Sequence, residues 1–310
     1  MILSVSRRTD IPNYYSEWFF NRIREGFFYV RNPMNAHQVS RVNISPEVVD
    51  CIVFWTKNPY NMMDRLDELA DYPYYFQFTL TGYGKDMEPN IPDKRELLIP
   101  VFQRLSERLG KERIIWRYDP ILLNDRYTVA YHLKAFREIA DNLAGYTEKV
   151  IISFVDFYTK MRRNTAGQNI RQITDQEMLE AAGEIALLAK ERGLVVESCA
   201  EHIDLQSVGI EHGCCIDKKL IERMIGYKLK GSKDRNQRPE CGCLESVDVG
   251  TYNTCKNGCR YCYANFNHTL VKRGAELYDL ELPLLCGVVG EKDKITVRSV
   301  KSLKKSLTSP

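Results

Sequence analysis

Short apolar segments alternate with longer amphipathic ones through the first two thirds of the chain. The apolar segments are rich in β-branched and aromatic residues, as in buried parallel strands, and the segments between them repeat at helical spacing. The pattern predicts six strands, at residues 2–6, 51–55, 74–80, 113–118, 149–155 and 194–198. It predicts intervening helices at residues 16–24, 61–70, 93–109, 127–143 and 174–192 and a hairpin over residues 27–30 and 38–42.

This alternation indicates right-handed βαβ units, and therefore an α/β fold built on a parallel sheet. Six units predict a partial (β/α)6 TIM-like barrel, and an eight-stranded barrel stays open because residues 247–249 can supply another strand. We assign residues 1–226 to the barrel and residues 227–290 to a cysteine-rich segment that closes its mouth. Residues 291–310 are assigned to a tail, which is expected to be frayed.

Polar and charged residues follow the predicted strands. In β/α barrels the loops after the strands form the mouth of the active site, so these residues are expected to share one face. The candidates are Arg7, Lys57, Arg117, Asp119, Asp156 and Glu201. Arg117 lies among apolar residues and is expected to point inward, where it needs a carboxylate partner from among these acids. The competing interpretation is that each candidate is an ordinary polar group of a surface loop.

The composition is that of an ordinary globular protein and excludes few functions. The chain has 310 residues, of which 44% are hydrophobic and 27% charged, with a net charge of +3. So weak a basic excess neither requires nor excludes nucleic acid as a partner. No stretch approaches the ~20 apolar residues of a membrane span, and the N-terminus has no signal-peptide pattern. We therefore expect a cytoplasmic protein with no membrane partner.

The number and spacing of the cysteines are more informative about function. Five of the ten cysteines fall between residues 241 and 262, which in a large chain without an export signal indicates metal or redox chemistry. Cys255, Cys259 and Cys262 have the spacing C-x3-C-x2-C. A structural zinc site usually has four protein ligands, so three close thiolates are one short. A [4Fe–4S] cluster tolerates this, because three irons bind thiolates and the fourth stays open to a small molecule.

With Tyr261 the motif becomes C-x3-C-x-aromatic-C, which resembles the hallmark of the radical S-adenosylmethionine (SAM) enzymes. Those enzymes usually carry it near the start of their barrel, whereas here it begins at residue 255. The chain also resembles a prokaryotic family catalogued as a domain of unknown function, which is described as having a C-terminal cysteine cluster like the N-terminal one of radical SAM proteins. This second resemblance is carried by residues 6–12, 54–59 and 261–265.

The resemblance implies a cofactor but does not identify a substrate. The substrate is either a small molecule or a macromolecule. It implies that SAM binds the open iron through its amino and carboxylate groups. An electron donor such as flavodoxin or ferredoxin would then reduce the cluster, and SAM would yield a 5′-deoxyadenosyl radical. The position of the strand-end residues suggests roles toward SAM: Arg7, Lys57 and Arg117 for its carboxylate, and Asp119, Asp156 and Glu201 for its ribose hydroxyls.

Other cysteines indicate a second site. Cys241 and Cys243 form a C-x-C pair, Cys199 follows the sixth strand, and Cys214 and Cys215 lie between them. Four thiolates suit either an iron–sulfur cluster or zinc, and we predict that Cys199, Cys215, Cys241 and Cys243 converge on one auxiliary metal site. The alternative is that they are packing residues, since a free cysteine behaves as a small hydrophobe.

A different function stays open, that of a zinc- or cluster-stabilised nucleic-acid-binding protein without radical chemistry. Aromatic and basic residues interleave around the motif, as in surfaces that stack bases and bind phosphates: Tyr252, Lys256, Arg260, Tyr261, Tyr263 and Phe266. Residues 259–263 are also similar to the cysteine loop of the spore photoproduct lyases, radical SAM enzymes that repair DNA. A simple electron-transfer protein is disfavoured by the large predicted barrel with its polar mouth.

Overall fold

The computed structural model describes residues 1–156 and 163–305. Its strands are β1 (Ile2–Val5), β2 (Phe27–Arg31), β3 (Gln38–Asn43), β4 (Cys51–Thr56), β5 (Tyr74–Thr79), β6 (Ile114–Ile121), β7 (Lys149–Phe154), β8 (Val195–Ser198), β9 (Glu211–His212), β10 (Ser246–Asp248) and β11 (Lys294–Val297). Its helices are α1 (Ile11–Tyr14), α2 (Ser16–Glu25), α3 (Tyr60–Met63), α4 (Ile99–Leu109), α5 (Val129–Leu143), α6 (Asp175–Lys190), α7 (Lys218–Ile225) and α8 (His268–Glu276). Among these described residues no helix is both long and apolar enough to cross a bilayer.

Eight strands form one parallel sheet in the order β10-β1-β4-β5-β6-β7-β8-β9. Six of them are the strands that the sequence predicts, and the further strand suggested at residues 247–249 overlaps β10. β9 has two residues and is too short to leave a hydrophobic pattern. β9 and β10 lie at opposite edges, so across the described residues the sheet is open. The α/β class with a parallel sheet is confirmed, and the structure has no closed TIM barrel among these residues.

The predicted helices are present, with changes at their ends. Thr174 begins α6 with both hydrogen bonds of a capping box, as its spacing from Glu177 predicts. The helix expected at residues 61–70 is only the single turn α3, followed by a short 3-10 turn at Leu66–Leu69. α4 begins later than predicted because Lys94–Leu98 forms a wider π-type turn before it.

Side chains alternate across the strands and give the sheet two buried faces. On one face, Phe54 and Trp116 pack in a cluster that also includes residues of α2, α4, α5 and α6. Burial of each such side chain contributes about 1.5–3 kcal/mol. On the other face, Tyr75 and Ile115 are covered by α7 and the irregular chain around it, within residues 215–244. The four long helices therefore lie on one side, and an irregular segment covers the other.

A second, small sheet holds the predicted hairpin and part of the tail. β2 and β3 pair antiparallel, as predicted, and β11 pairs with β3 in parallel. The expectation of a frayed tail is therefore wrong at residues 294–297. β11 was not predicted because it has four residues, most of them exposed, at the edge of a sheet. Residues 306–310 of the predicted tail lie outside the described residues.

Asp50 anchors the last described residues to the start of β4. It is 2% exposed and accepts hydrogen bonds from Ser302 Oγ at 2.5 Å, Leu303 N at 2.7 Å and Tyr227 OH at 3.0 Å. One buried carboxylate thus joins the amino end of the sheet to two segments from the C-terminal third of the chain.

Replacing Asp50 with alanine leaves these donors without their acceptor. We expect Asp50→Ala to lower the free energy of unfolding by about 1.5–3 kcal/mol, the range for hydrogen bonds to charged groups. Asp71→Ala is the matched control, because Asp71 is an exposed carboxylate whose loss should change stability by less than about 0.5 kcal/mol. Urea unfolding followed by circular dichroism measures both variants, and equal stabilities would contradict the anchoring role.

Candidate functional site

The cysteine loop, residues 254–263, lies at the carboxyl ends of the parallel strands. β10 is parallel to β1 and adjacent to it, so the chain leaving β10 emerges beside the chain leaving β1. Asn257 Nδ2 donates to Asp10 Oδ2 at 2.9 Å, and Tyr263 OH donates to the Arg7 carbonyl at 2.9 Å. The C-terminal motif is therefore held against the first strand-end loop of the chain.

Asp10 joins three loops at this edge. It is 6% exposed and accepts hydrogen bonds from Thr56 Oγ1 at 2.6 Å, Lys57 N at 2.9 Å and Asn257 Nδ2 at 2.9 Å. Burial raises the pKa of Asp10, and these hydrogen bonds oppose the rise. One carboxylate thus fixes the loops after β1 and β4 against the cysteine loop.

The connection from β10 into the cysteine loop is also closely packed on β1. Asp248 accepts hydrogen bonds from Ser4 Oγ at 2.8 Å and Ser6 Oγ at 2.7 Å. At Gly250 a Cβ atom would lie 2.0 Å from Ser6 Oγ. The close approach of the segments after β1 and β10 therefore requires glycine at this position.

We call Cys255, Cys259 and Cys262 the first cysteine group. Cys255 and Cys259 are 9% and 8% exposed, and Cys262 is half-buried. Burial raises the pKa of all three thiols, that of Cys255 to about 12, so without a metal they are protonated at neutral pH. Binding a soft metal would release these protons. Gly258, with a φ of +71°, makes the turn between the first two cysteines.

Glu88 and two lysines lie beside this group. Glu88 is 1% exposed, and its oxygens lie 2.8 Å from Lys57 Nζ and 2.7 Å from Lys94 Nζ. Tyr261 OH also donates to Glu88, which holds the aromatic residue of the motif in place. Burial favours the neutral acid, but the two ammonium groups lower the pKa of Glu88 to about 2. Sequence reasoning missed Glu88 because it lies in a loop with no motif, and it missed Lys94 because this residue lies at the start of a predicted helix and not at a strand end.

Lys57 is the predicted site residue that lies beside the first cysteine group. Its Nζ is 5.6 Å from the centre of the Tyr261 ring. Burial acts to lower the pKa of Lys57, but the negative charge of Glu88 outweighs it and the pKa is raised. Lys57 therefore stays protonated and places a buried positive charge near Cys259.

Arg117 and Asp119 lie on the face of the sheet that the irregular segment covers. Arg117 is 6% exposed, donates to Cys215 Sγ at 2.6 Å and forms an ion pair with Asp119. Among the three carboxylates that the sequence offers to this arginine, its partner is thus Asp119. The pair lies beside Cys215.

Asp156 and Glu201 follow β7 and β8. Asp156 pairs with Arg238. Glu201 is 3% exposed and accepts a hydrogen bond from Phe154 N at 2.9 Å. Burial raises the pKa of Glu201 to about 8, so at neutral pH this carboxyl is mostly protonated.

Arg7 and Arg117 flank the indole ring of Trp55, with their guanidinium carbons 5.0 and 5.2 Å from its centre. Arg7 Nη1 lies 3.9 Å from Asp234 Oδ2, and Arg7 Nη2 is buried without a hydrogen-bond partner. Burial acts to lower the pKa of Arg7, but neighbouring charges, that of Cys243 first, raise it. The Arg7 side chain therefore belongs with Cys243, although its carbonyl contacts the cysteine loop.

We call Cys199, Cys215, Cys241 and Cys243 the second cysteine group, because the structure brings them together. The sulfurs of Cys199 and Cys215 are 3.0 Å apart, and Cys243 Sγ accepts a hydrogen bond from Ile216 N at 3.3 Å. Hydrogen bonds from Cys215 and Cys241 lower the pKa of Cys243. All four are free thiols. Within residues 1–156 and 163–305, no three metal-ligating side chains already stand as they would around an ion.

Two of the six interleaved aromatic and basic residues around the motif pack against the protein. Tyr261 is 8% exposed and its hydroxyl is bonded to Glu88. Lys256 Nζ lies 5.1 and 5.8 Å from the ring centres of Tyr15 and Tyr14. These two residues of the interleaved set therefore face the protein, whereas Tyr263 of the same set is 41% exposed.

Residues 2–264 match the model of a family described as Domain of unknown function (DUF1848). The chain belongs to this family. The matched region contains both cysteine groups and every strand-end candidate, so these residues lie inside the DUF1848 domain. No curated protein matches the chain. The family description assigns no activity, and the function is therefore argued from the site.

A Glu88→Gln variant tests whether Glu88 neutralises the charges of Lys57 and Lys94 in this DUF1848 domain. The folded-state pKa of Glu88, about 2, is below the usual 4.5, so the stabilising effect of Glu88 is present above pH 4.5 and is lost as the pH falls through 2. Glu88→Gln leaves Lys57 and Lys94 without their counter-charge. We expect a loss of about 3 kcal/mol in the free energy of unfolding at pH 7.

The same variant should also lose part of the acid sensitivity between pH 4.5 and 2. Glu107→Gln is the matched control, because Glu107 is exposed on α4. Denaturant unfolding at several pH values measures both effects. A Glu88→Gln variant with the acid profile of the parent chain would show that Glu88 does not carry this charge balance.

Proposed function

We propose that the chain is an iron–sulfur enzyme of the radical SAM type, in which Cys255, Cys259 and Cys262 hold a [4Fe–4S] cluster. The observation that carries the proposal is where the cysteine loop leaves the sheet. The loop follows β10, and β10 is the edge strand beside β1. In the enzymes that this motif resembles, the motif follows the first barrel strand. The C-terminal motif here takes the equivalent place in the order of strands.

The layout of the sheet supports the same proposal. Its four long helices pack on one face, and the irregular segment and buried polar groups occupy the other. A doubly wound sheet would have helices on both faces, whereas a barrel has them on the outer face alone. We infer an incomplete barrel with β10 and β9 at its open edges, whose strand-end loops form a mouth facing the cysteine loop.

The donor set fits a cluster with one open iron. Three thiols on one loop leave a fourth position for SAM, and their burial keeps water away from it. Bound there and reduced by a donor such as flavodoxin or ferredoxin, the cluster would supply one-electron cleavage of SAM to a 5′-deoxyadenosyl radical. Tyr261, fixed by Glu88, covers one side of the loop.

Lys57 is the cation best placed for the SAM carboxylate. An ammonium group has three donors, and Glu88 accepts one of those of Lys57 at 2.8 Å. Arg117 is less suited, because Asp119 and Cys215 already accept from its guanidinium. Asp119 is close enough to Lys57 to raise the pKa of the lysine, so it is the acid we propose for the ribose hydroxyls.

Iron analysis tests the cluster. We expect protein purified without oxygen to be brown and to hold about four irons and four sulfides at the first cysteine group. Replacing Cys255, Cys259 and Cys262 with alanine should remove this iron. It should also abolish the change that SAM causes in the electron paramagnetic resonance spectrum of the reduced protein.

Cys51→Ala is the matched control, because Cys51 is buried at the amino end of β4. This variant should keep both the iron and the response to SAM. Zinc in place of iron at the first cysteine group, in protein made without oxygen, would sink the proposal. It would favour the zinc-stabilised nucleic-acid-binding protein instead.

A further inference from the structure

Four thiols meet at one place outside the proposed cluster site. Cys199 follows β8, Cys215 follows β9, and Cys241 and Cys243 precede β10. The sulfurs of Cys199 and Cys215 are 3.0 Å apart, and Cys243 Sγ accepts from Ile216 N, the amide next to Cys215. Cys241 packs in the same cluster of side chains. They come from three separate parts of the chain, and free hydrophobic cysteines have no reason to gather so completely.

Two buried arginines lie against these thiols. Arg117 Nη1 donates to Cys215 Sγ at 2.6 Å, so this sulfur acts as an acceptor for a charged donor. Arg7 meets Asp234 only at 3.9 Å and has a buried Nη2 without a hydrogen-bond partner. Buried guanidinium groups need nearby negative charge. Four thiolates around a divalent ion carry a net charge of minus two and would supply it.

We propose that Cys199, Cys215, Cys241 and Cys243 bind a single zinc ion, separate from the cluster site. On a [4Fe–4S] cluster each thiolate binds a different iron and the sulfurs stand well apart, whereas the Cys199 and Cys215 sulfurs are 3.0 Å apart. Around tetrahedral zinc, with bonds of about 2.3 Å, sulfurs lie about 3.8 Å from one another. The sulfurs of Cys199 and Cys215 therefore need to separate by only about 0.8 Å when the two thiols lose their protons and bind the ion.

A disulfide between Cys199 and Cys215 explains less of the structure. Bonded sulfurs lie about 2.05 Å apart, and forming the bond would pass two electrons to an added oxidant such as another disulfide. It would leave Cys241 and Cys243 without a role. It would also remove the negative charge that the neighbouring arginines require.

The ion would fasten the irregular segment to the sheet. Tyr75 OH and Gln77 Nε2, from β5, donate to the Cys215 carbonyl at 2.7 and 2.8 Å. Zinc at Cys215 would extend this attachment to the end of β8 through Cys199. Because an unfolded chain has no preformed site, the binding free energy would stabilise the fold.

Metal analysis of the full chain tests the proposal. We expect about one zinc per chain, retained when the first cysteine group is replaced by alanine and lost in Cys215→Ser and Cys243→Ser. Cys214→Ser is the matched control. Cys214 is the neighbour of Cys215 in sequence, but its sulfur lies against Gly242, where an added Cβ would be 2.6 Å from it. Zinc content should be unchanged in this variant.

Cobalt gives a readout that needs neither activity nor a folded variant. Replacing zinc with cobalt in the parent chain should produce thiolate charge-transfer absorption and the strong visible bands of a tetrahedral site. Removing the metal with a chelator should lower the melting temperature. An unchanged melting temperature, or cobalt spectra without thiolate bands, would overturn the proposal.

Three other results would also overturn it. They are iron in place of zinc when the first cysteine group is absent, a metal-free chain with a Cys199–Cys215 disulfide, and loss of zinc in Cys214→Ser. The outcome is independent of the proposed function. Absence of iron from the first cysteine group leaves the zinc measurement intact, and absence of zinc leaves the iron measurement intact.

Discussion

The carboxylate of Asp10 holds together segments from opposite ends of the chain. Its hydrogen-bond donors are Thr56, the amide of Lys57 and Asn257, the last of which is 247 positions away in sequence. Removing partners from a buried charge costs about 3–5 kcal/mol. If the cysteine loop moved away from the strand ends, the Asp10 carboxylate would lose a hydrogen-bond donor or become exposed to solvent. The position of the cysteine loop is set by the edge of the sheet and not by structure of its own.

Buried charge divides the strand-end residues into two sets. Glu88 shares its single negative charge between Lys57 and Lys94 beside the first cysteine group. Arg7 and Arg117 stand on either side of Trp55 beside the second group. In both places cations are held close to thiols that would be anionic with a metal bound. The two proposed metal sites thus rest on one electrostatic principle, applied with lysine in one and arginine in the other.

The sequence predicted the strands well because each buried strand is a continuous apolar run. It missed β9 and β11, which are short edge strands with no such run. The rule that strand-end loops share one edge of a parallel sheet placed the strand-end candidates at the carboxyl edge. It could not show which of them lie beside which cysteine group. Whether Arg117 meets Cys215 or the cysteine loop depends on which face of the pleat it occupies and on what covers that face. Glu88 comes from a loop without periodicity, so only the fold shows that it is central.

The order of the strands links the two cysteine groups. β9 and β10 are successive in the chain but lie at opposite edges of the sheet, so residues 213–245 must cross its whole open face. A connecting segment of this length that contains only one short helix has little stability of its own. Its position depends on the contacts that it makes with the sheet. The second cysteine group lies along this crossing: Cys215 is near its start, and Cys241 and Cys243 are near its end. A metal bound there would attach residues 213–245 to the sheet at both ends of this segment. That attachment would help to hold β10, and with it the cysteine loop, beside β1.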